Sequence, residues 1–241
     1  MAVVENQLVA RLPRQDRLRL ISLCTPVEIF LGDVLGEPGD PTRNVYFPID
    51  GFISLVTLLD GHQSLEVGMV GREGMVGVEL AFGFSRSPVR MLVQGSGTAW
   101  RLGAAALRSQ MEGSAALRRV IQSYIFALML QLTTTAACLR FHLIGARLAR
   151  WLLMTQDRAQ SEHFDVTHEF LSFMLGARRV GVTKAAIVLQ RQGLILYRRG
   201  HLTVLDRAGL EAAACSCYAT DLGSYAASFP VKLRKLVPSI R

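Results

Sequence analysis

The 241-residue sequence predicts an α+β chain: a front half of short strands, one long central helix, and a helical rear that contains a hairpin. Three observations carry this. Between residues 26 and 102, short runs rich in Val, Ile, Leu and Phe alternate with Gly, Pro and Asp and show no helical period. Between 120 and 139 there is no charged side chain, and apolar residues recur at steps of four and three. Between 165 and 206, two helical patterns flank Gly176 and two strand-like runs follow.

Composition narrows the class. Half the residues are hydrophobic, which supplies a sizeable core and excludes a disordered chain. Cys24, Cys138, Cys215 and Cys217 lie far apart except for one C-x-C pair, so a disulfide scaffold, a CxxC zinc pair and an iron–sulfur cluster are not expected, and no metal is. The opening MAVVENQLVARL lacks the basic-then-apolar pattern of a signal peptide. The charge-free stretch holds Gln122, Ser123, Gln131 and three threonines, which marks a buried helix and not a membrane span. A cytoplasmic chain with no membrane partner is expected. The net charge of +8 is uneven: residues 1–113 carry 10 basic and 12 acidic side chains, residues 114–241 carry 17 and 7. A near-neutral front and a basic rear predict two modules, the rear one meeting a polyanion.

Along the chain, Leu8, Leu12, Leu18 and Ile21 predict one or two short helices over 6–24, punctuated by Pro13 and Asp16. The strand runs include Val45–Pro48, a run from Phe52 to Leu59, Ser64–Val70 and Arg90–Val93, and Asp60-Gly61 favours a tight hairpin turn. Together they predict a small barrel or sandwich. Gly103–Met111 reads as a helix, and Gly113-Ser114 as a break and a fresh cap. In the long helix after it, Ile121, Ile125, Leu128, Leu132, Thr135 and Leu139 form a heptad seam that predicts a dimer interface. A further helix over about 141–158 has Leu148, Trp151 and Leu152 as its stripe and Arg147, Arg150 and Arg158 among its polar positions. Gln160–Phe164 reads as a connector.

The segment 165–206 carries the chemistry. Thr167 can cap a helix with His168–Leu175 as its body, and Gly176 breaks it where a turn needs positive φ. A second helix runs from about Arg178 to Arg191. Leu171, Leu175, Ala177, Val182 and Ala185 fall where the two helices pack, with the small Ser172 at their closest approach. Gly193 ends the second helix, and Leu194–Leu196 and Leu202–Leu205 form a wing around Tyr197–His201. From Arg178 to His201 there are six basic residues and no acidic one. Arg178 and Arg179 open the second helix, where Arg can grip guanine bidentately in a major groove. Thr183 and Lys184 can reach a base or phosphate; Arg191, Arg198, Arg199 and His201 extend the basic face; Thr167 and His168 lie near the backbone. Gly181 inside this helix is unexpected, costing about 0.5–1 kcal/mol relative to Ala.

This order of modules resembles the Crp/Fnr family of bacterial transcription regulators over nearly the whole chain. The resemblance is sharpest in Thr167–Arg179, Gln192–Ile195, Arg198–His201 and Leu205–Glu211, and is carried less specifically by Val45–Gly51 and Glu73–Leu80. It implies a β-roll or jelly-roll sensor over 1–113, a dimerisation helix over 114–140 and a winged helix-turn-helix over 141–241. It also implies a homodimer on a near-palindromic double-stranded DNA operator, with RNA polymerase as a further partner, and makes Arg178, Arg179 and Lys184 the recognition-helix contacts. Val180 stands where many relatives carry a glutamate, so the preferred half-site can differ. Glu79, Leu80, Arg86 and Ser87 echo the cyclic-AMP cradle, but the glycine before Glu79 is gone and the loop to Arg86 is short. The expectation is therefore a roll that senses an unknown effector or none, with a cyclic-nucleotide-responsive regulator as the alternative. His62 and His142 are haem candidates by chemistry only, and Cys215 and Cys217 read as packing residues or oxidant sensors. The segment near Cys138–His142 is the expected hinge to the DNA-binding domain.

A nucleotide-regulated signalling module and an RNA-binding protein are the competing classes. No P-loop, H-E-x-x-H or G-x-S-x-G sequence occurs, so no enzyme is expected. In the basic segment Tyr197 is essentially the sole aromatic for base stacking, which disfavours RNA.

Overall fold

The computed structural model describes residues 5–58 and 64–229. The Asp60-Gly61 turn, Leu59 and His62 lie outside the described residues, as do Lys232, Arg234 and Lys235, basic residues of the sequence's tail.

Two short helices, α1 (Gln7–Ala10) and α2 (Arg14–Ser22), precede the strands. Asn6 fixes the first of them. Its side-chain oxygen accepts the amides of Leu8 and Val9 at 3.0 and 3.1 Å, and its amide donates to the carbonyls of Pro48 and Gly74, both at 2.8 Å. A fully buried Asn with every one of these bonds made ties the N-terminus to the roll.

The front module is two antiparallel sheets. β1 (Thr25–Ile29), β7 (Gly97–Gly103) and β3 (Asn44–Pro48) form one, in the order β1-β7-β3. β2 (Val34–Gly36), β6 (Arg90–Gly95), β4 (Phe52–Thr57) and β5 (Leu65–Val70) form the other, in the order β2-β6-β4-β5. A 3₁₀ turn, Val78–Phe82, is bracketed by Gly77 and Gly83, both at positive φ. Almost every residue of β4 is buried because both its faces are covered. Ile53 and Leu55 point into the roll with Val70 and Val93, whereas Phe52 and Val56 point outward into a second core.

α3 (Ala104–Gly113) closes the roll, and Ser114 then caps the long α4 (Ala115–Phe141) by accepting the Leu117 amide at 3.0 Å. α4 is long and apolar enough to cross a membrane, yet Leu117, Ile121, Tyr124, Ala127 and Leu128 pack into the chain's own core. Tyr124 donates to the Met75 carbonyl at 2.9 Å, locking helix to roll.

His142 and Leu143 are extended and separate α4 from α5 (Ile144–Ala159). The rear module is built on α5: Leu148, Leu152 and Leu153 are fully buried among α6 (His168–Met174), α7 (Arg179–Arg191) and α8 (Arg207–Ala213). Two expectations, one on α5 and one on the segment after it, are corrected. Arg147 and Arg150 are buried, not solvated, because α5 is enclosed by the roll, the helix-turn-helix and the last helix. Arg147 donates to the Leu175 carbonyl; Arg150 pairs with Asp221 at 2.6 Å and donates to Thr135 at 3.1 Å. The expected connector at 160–164 contains a strand, β8 (His163–Asp165), paired with the wing in the order β8-β10-β9. Three residues are too short to show alternation. The wing strands are β9 (Ile195–Arg198) and β10 (His201–Val204). α9 (Cys217–Ser228) runs antiparallel along α4: Cys217 lies by its end, and Tyr225 stacks edge-on to Tyr124 at 6.5 Å.

The two modules meet at Glu66 of β5. Its carboxylate accepts the Ser54 hydroxyl and, at 3.0 Å, the indole N–H of Trp151 on α5. Burial pushes Glu66 up from the ordinary 4.5 to about 7, against the opposing effect of these two donors and of Arg158 and Arg150.

Candidate nucleic-acid interface

Thr167 caps α6 by accepting the Phe170 amide at 3.1 Å. Gly176, at φ +52, makes the turn, and Arg178 is the N-cap residue of α7. Leu171, Leu175, Val182 and Ala185 are buried between the helices, with Ser172 buried and Ala177 half-buried. This burial leaves one face of α7 open. Val180, Lys184, Ile187, Val188 and Arg191 are exposed along it, and Arg178 and Arg179 are exposed at its N-terminal end.

The wing is tighter than the five-residue tip read from sequence. Arg198 pairs with His201, so only Arg199 and Gly200 turn, both at positive φ (+52 and +89). Arg198 and Arg199 project exposed from this tip.

Besides the capping Thr167, three residues assigned to DNA contact are engaged with partners in their own domain. Thr183 lies 3.0 Å from the His168 ring and donates to the Arg179 carbonyl. His168 stacks on Tyr197 at 4.4 Å, and the Tyr197 hydroxyl donates to the Val166 carbonyl at 2.8 Å. Burial, then Arg179, lowers the His168 pKa and favours the neutral ring. The exposed His201 ring turns to Asp165 at 2.5 Å across the β8–β10 pair. The sequence carried no signal for the Thr183–His168–Tyr197 stack, because its members come from three elements. Gly181 faces inward: a Cβ there would come within 2.8 Å of the Ile144 side chain.

On the roll, Leu80 is core and Ser87 is buried. Glu79 accepts the Thr42 hydroxyl at 2.5 Å, and Arg86 donates to the Gly39 carbonyl. Glu79 and Arg86 therefore bond to separate partners, though both line one open groove with Phe84, Ser85 and Pro88.

The helix seam is also placed. Ile121 and Leu128 are buried in their own chain, and Ile125 and Leu132 pack against the same core. Thr135 is held by Arg150, and Leu139 is half-buried. The large apolar side chains that α4 leaves open are Phe126 and Met129, each 51% exposed, and Phe141.

The expectation of no metal is overturned. Folding brings Cys138, His142, Cys215 and Cys217 together, with their donor atoms all within 4.8 Å of one another. The Cys138–Cys215 contact lowers the pKa of Cys215 and raises that of Cys138, since one sulfur ionises while the other donates to it. Sequence reading missed the cluster because Cys138 and Cys215 are 77 residues apart.

Residues 146–213 match the family model of the Crp-like helix-turn-helix domain. No curated protein matches the chain by sequence. Among solved structures, a Crp/Fnr-family putative transcriptional regulator from Eubacterium rectale superposes with TM-score 0.68 at 16% identity, covering 86% of this chain and 96% of its own. The c-di-GMP-responsive global regulator CLP of Xanthomonas campestris gives 0.66 at 18% identity, covering 80% and 100%. A CRP/FNR-family regulator from Thermus thermophilus gives 0.66 at 22% identity, covering 79% and 98%. Residues 146–213 thus carry a Crp-like helix-turn-helix domain, and the chain around it has the fold of the Crp/Fnr-family transcription regulators that it resembles.

Proposed function

We propose that this chain is a sequence-specific, DNA-binding transcription regulator that acts as a homodimer in the cytoplasm. The observation that carries the reading is the open face of α7. Four cations, Arg178, Arg179, Lys184 and Arg191, lie exposed on a helix whose other side is buried, with Arg198 and Arg199 beside it on the wing. Such a helix fits a major groove: Arg178 and Arg179 at its N-terminus read guanine edges, Lys184 and Arg191 hold phosphates, and the wing tip follows the backbone. Val180, Ile187 and Val188 on the same face suit thymine methyl groups. The dimer face passes through Phe126 and Met129, since Ile121 and Leu128 are closed by their own chain. RNA polymerase is the further partner we propose for it.

The test is fluorescence anisotropy of the full chain with the duplex upstream of its own gene and a scrambled duplex, across a salt titration, with and without cyclic AMP. Selective, salt-sensitive binding to the upstream duplex supports the reading. A requirement for cyclic AMP would assign that effector to the groove beside Glu79 and Arg86. Equal binding to both duplexes, or preference for single-stranded RNA, would contradict it.

A further inference from the structure

We propose that Cys138, His142, Cys215 and Cys217 form a four-ligand zinc(II) site that clamps the end of the central helix to the C-terminal side of the helix-turn-helix domain. The proposal stands on the donor set and does not depend on DNA binding.

The four residues come from two places. Cys138 is on the last turn of α4, and His142 caps that helix, donating its amide to the Cys138 carbonyl at 3.1 Å. Side chains four apart share one helix face, so both project to the same side. Cys215 follows α8, and Cys217 opens α9. A C-x-C pair in this turn puts two sulfurs against the α4 end. Cys138 Sγ lies 3.5 Å from Cys215 Sγ, and Cys217 Sγ lies 3.4 Å from His142 Nδ1.

These distances are those of one tetrahedral ion. With Zn–S at about 2.3 Å and Zn–N at about 2.0–2.1 Å, the edges of the coordination tetrahedron are about 3.8 Å for S–S and about 3.5 Å for S–N. All four donors fall within 4.8 Å. That space takes one ion and leaves none for the bridging sulfides of an iron–sulfur cluster. Three buried thiolates and one half-buried imidazole select zinc over hard cations, and four protein ligands leave no open position, as in a structural site.

The surroundings supply a second observation. Three thiolates and a neutral imidazole around a divalent ion carry one net negative charge. Arg147 and Arg150 line the small cavity that Cys138 also lines. Arg150 is paired with Asp221, but Arg147, also buried, has no carboxylate partner among the described residues. A buried guanidinium without an acid is costly, and an anionic zinc–thiolate centre beside it offsets that cost. On binding, the thiols release their protons to solvent and no redox step occurs. The ion would bridge the extended His142–Leu143 link, fixing the rear module against α4.

The test uses the full chain, purified in reductant without a histidine tag. Metal analysis by mass spectrometry is expected to find one zinc per chain. After removal of metal, cobalt(II) added alone is expected to give the intense visible bands of a tetrahedral thiolate site, displaced by zinc. C138S and C215S should lose the stoichiometric zinc, while C24S, which alters the remaining thiol, should keep it. Failure of the reduced wild-type chain to take up either ion would overturn the proposal, as would an octahedral cobalt spectrum or zinc retained in both C138S and C215S. A wild-type chain holding a Cys138–Cys215 disulfide that, once reduced, still binds no zinc would replace the metal site with a redox pair. If the serine variants do not fold, the cobalt spectrum of the wild type decides alone, because its charge-transfer intensity counts the thiolate ligands.

Discussion

Replacing Glu66 by Gln removes the titratable group at the junction of the roll and the DNA-binding module while keeping hydrogen-bonding capacity toward Ser54 and Trp151. The folded chain holds the Glu66 proton to about pH 7, whereas the unfolded chain releases it near 4.5. A raised folded pKa means that the group's stabilisation is complete below about 4.5 and is lost as pH rises through about 7. At 1.36 kcal/mol per pH unit this 2.5-unit gap is worth on the order of 3 kcal/mol. The other buried or shifted groups, Asp221 and His168 among them, are present in both proteins and cancel in the difference. Urea unfolding of the wild type and E66Q at half-unit steps from pH 4.5 to 8 reads it. E66Q should gain on the wild type by about 3 kcal/mol across that window, or about 6–12 °C in Tm for a chain of this size. A stability difference that stays flat from pH 4.5 to 8 would refute the assignment of a buried, protonated carboxyl to this interface.

Other perturbations follow from the same geometry. R179A should weaken operator binding by about 1–3 kcal/mol and relax base preference, measured by anisotropy on operator and scrambled duplexes. Equal loss on both would remove the base-reading role. S114A deletes the oxygen that accepts the Leu117 amide and should cost about 1 kcal/mol in thermal unfolding. L148A empties a fully buried position on α5 among the helix-turn-helix residues and should cost about 2–5 kcal/mol by urea titration. F126E should shift the proposed homodimer to a monomer by light scattering and weaken operator binding, leaving the far-ultraviolet circular dichroism unchanged.

The parts legible in the sequence are those set by local rules. Thr167, Gly176 and Gly193 mark caps and turns, and the apolar positions between Leu171 and Ala185 follow the geometry of two crossing helices. The long helix is equally plain, but its seam is not. α4 is apolar on more than one side, so the 4-3 row of Ile121, Ile125, Leu128 and Leu132 is flanked one residue on by the apolar Phe126 and Met129, which the structure leaves exposed. Which face meets the roll depends on Tyr124 reaching Met75, a long-range contact. The same applies to Arg147 and Arg150, whose positions on α5 look polar until the roll, the helix-turn-helix and α9 enclose them. The Cys–His cluster is the extreme case: two sequence-distant segments meet only because α9 runs back along α4.

The most direct test of the central claim is dimethyl sulfate protection of the upstream duplex by the wild type and by R179A. Protected guanine N7 atoms, which lie in the major groove, are expected in two patches about one helical turn apart, with specific guanines reopened in R179A. Protection confined to adenine N3 in the minor groove, or a pattern identical in R179A, would contradict a recognition helix that reads bases through Arg179.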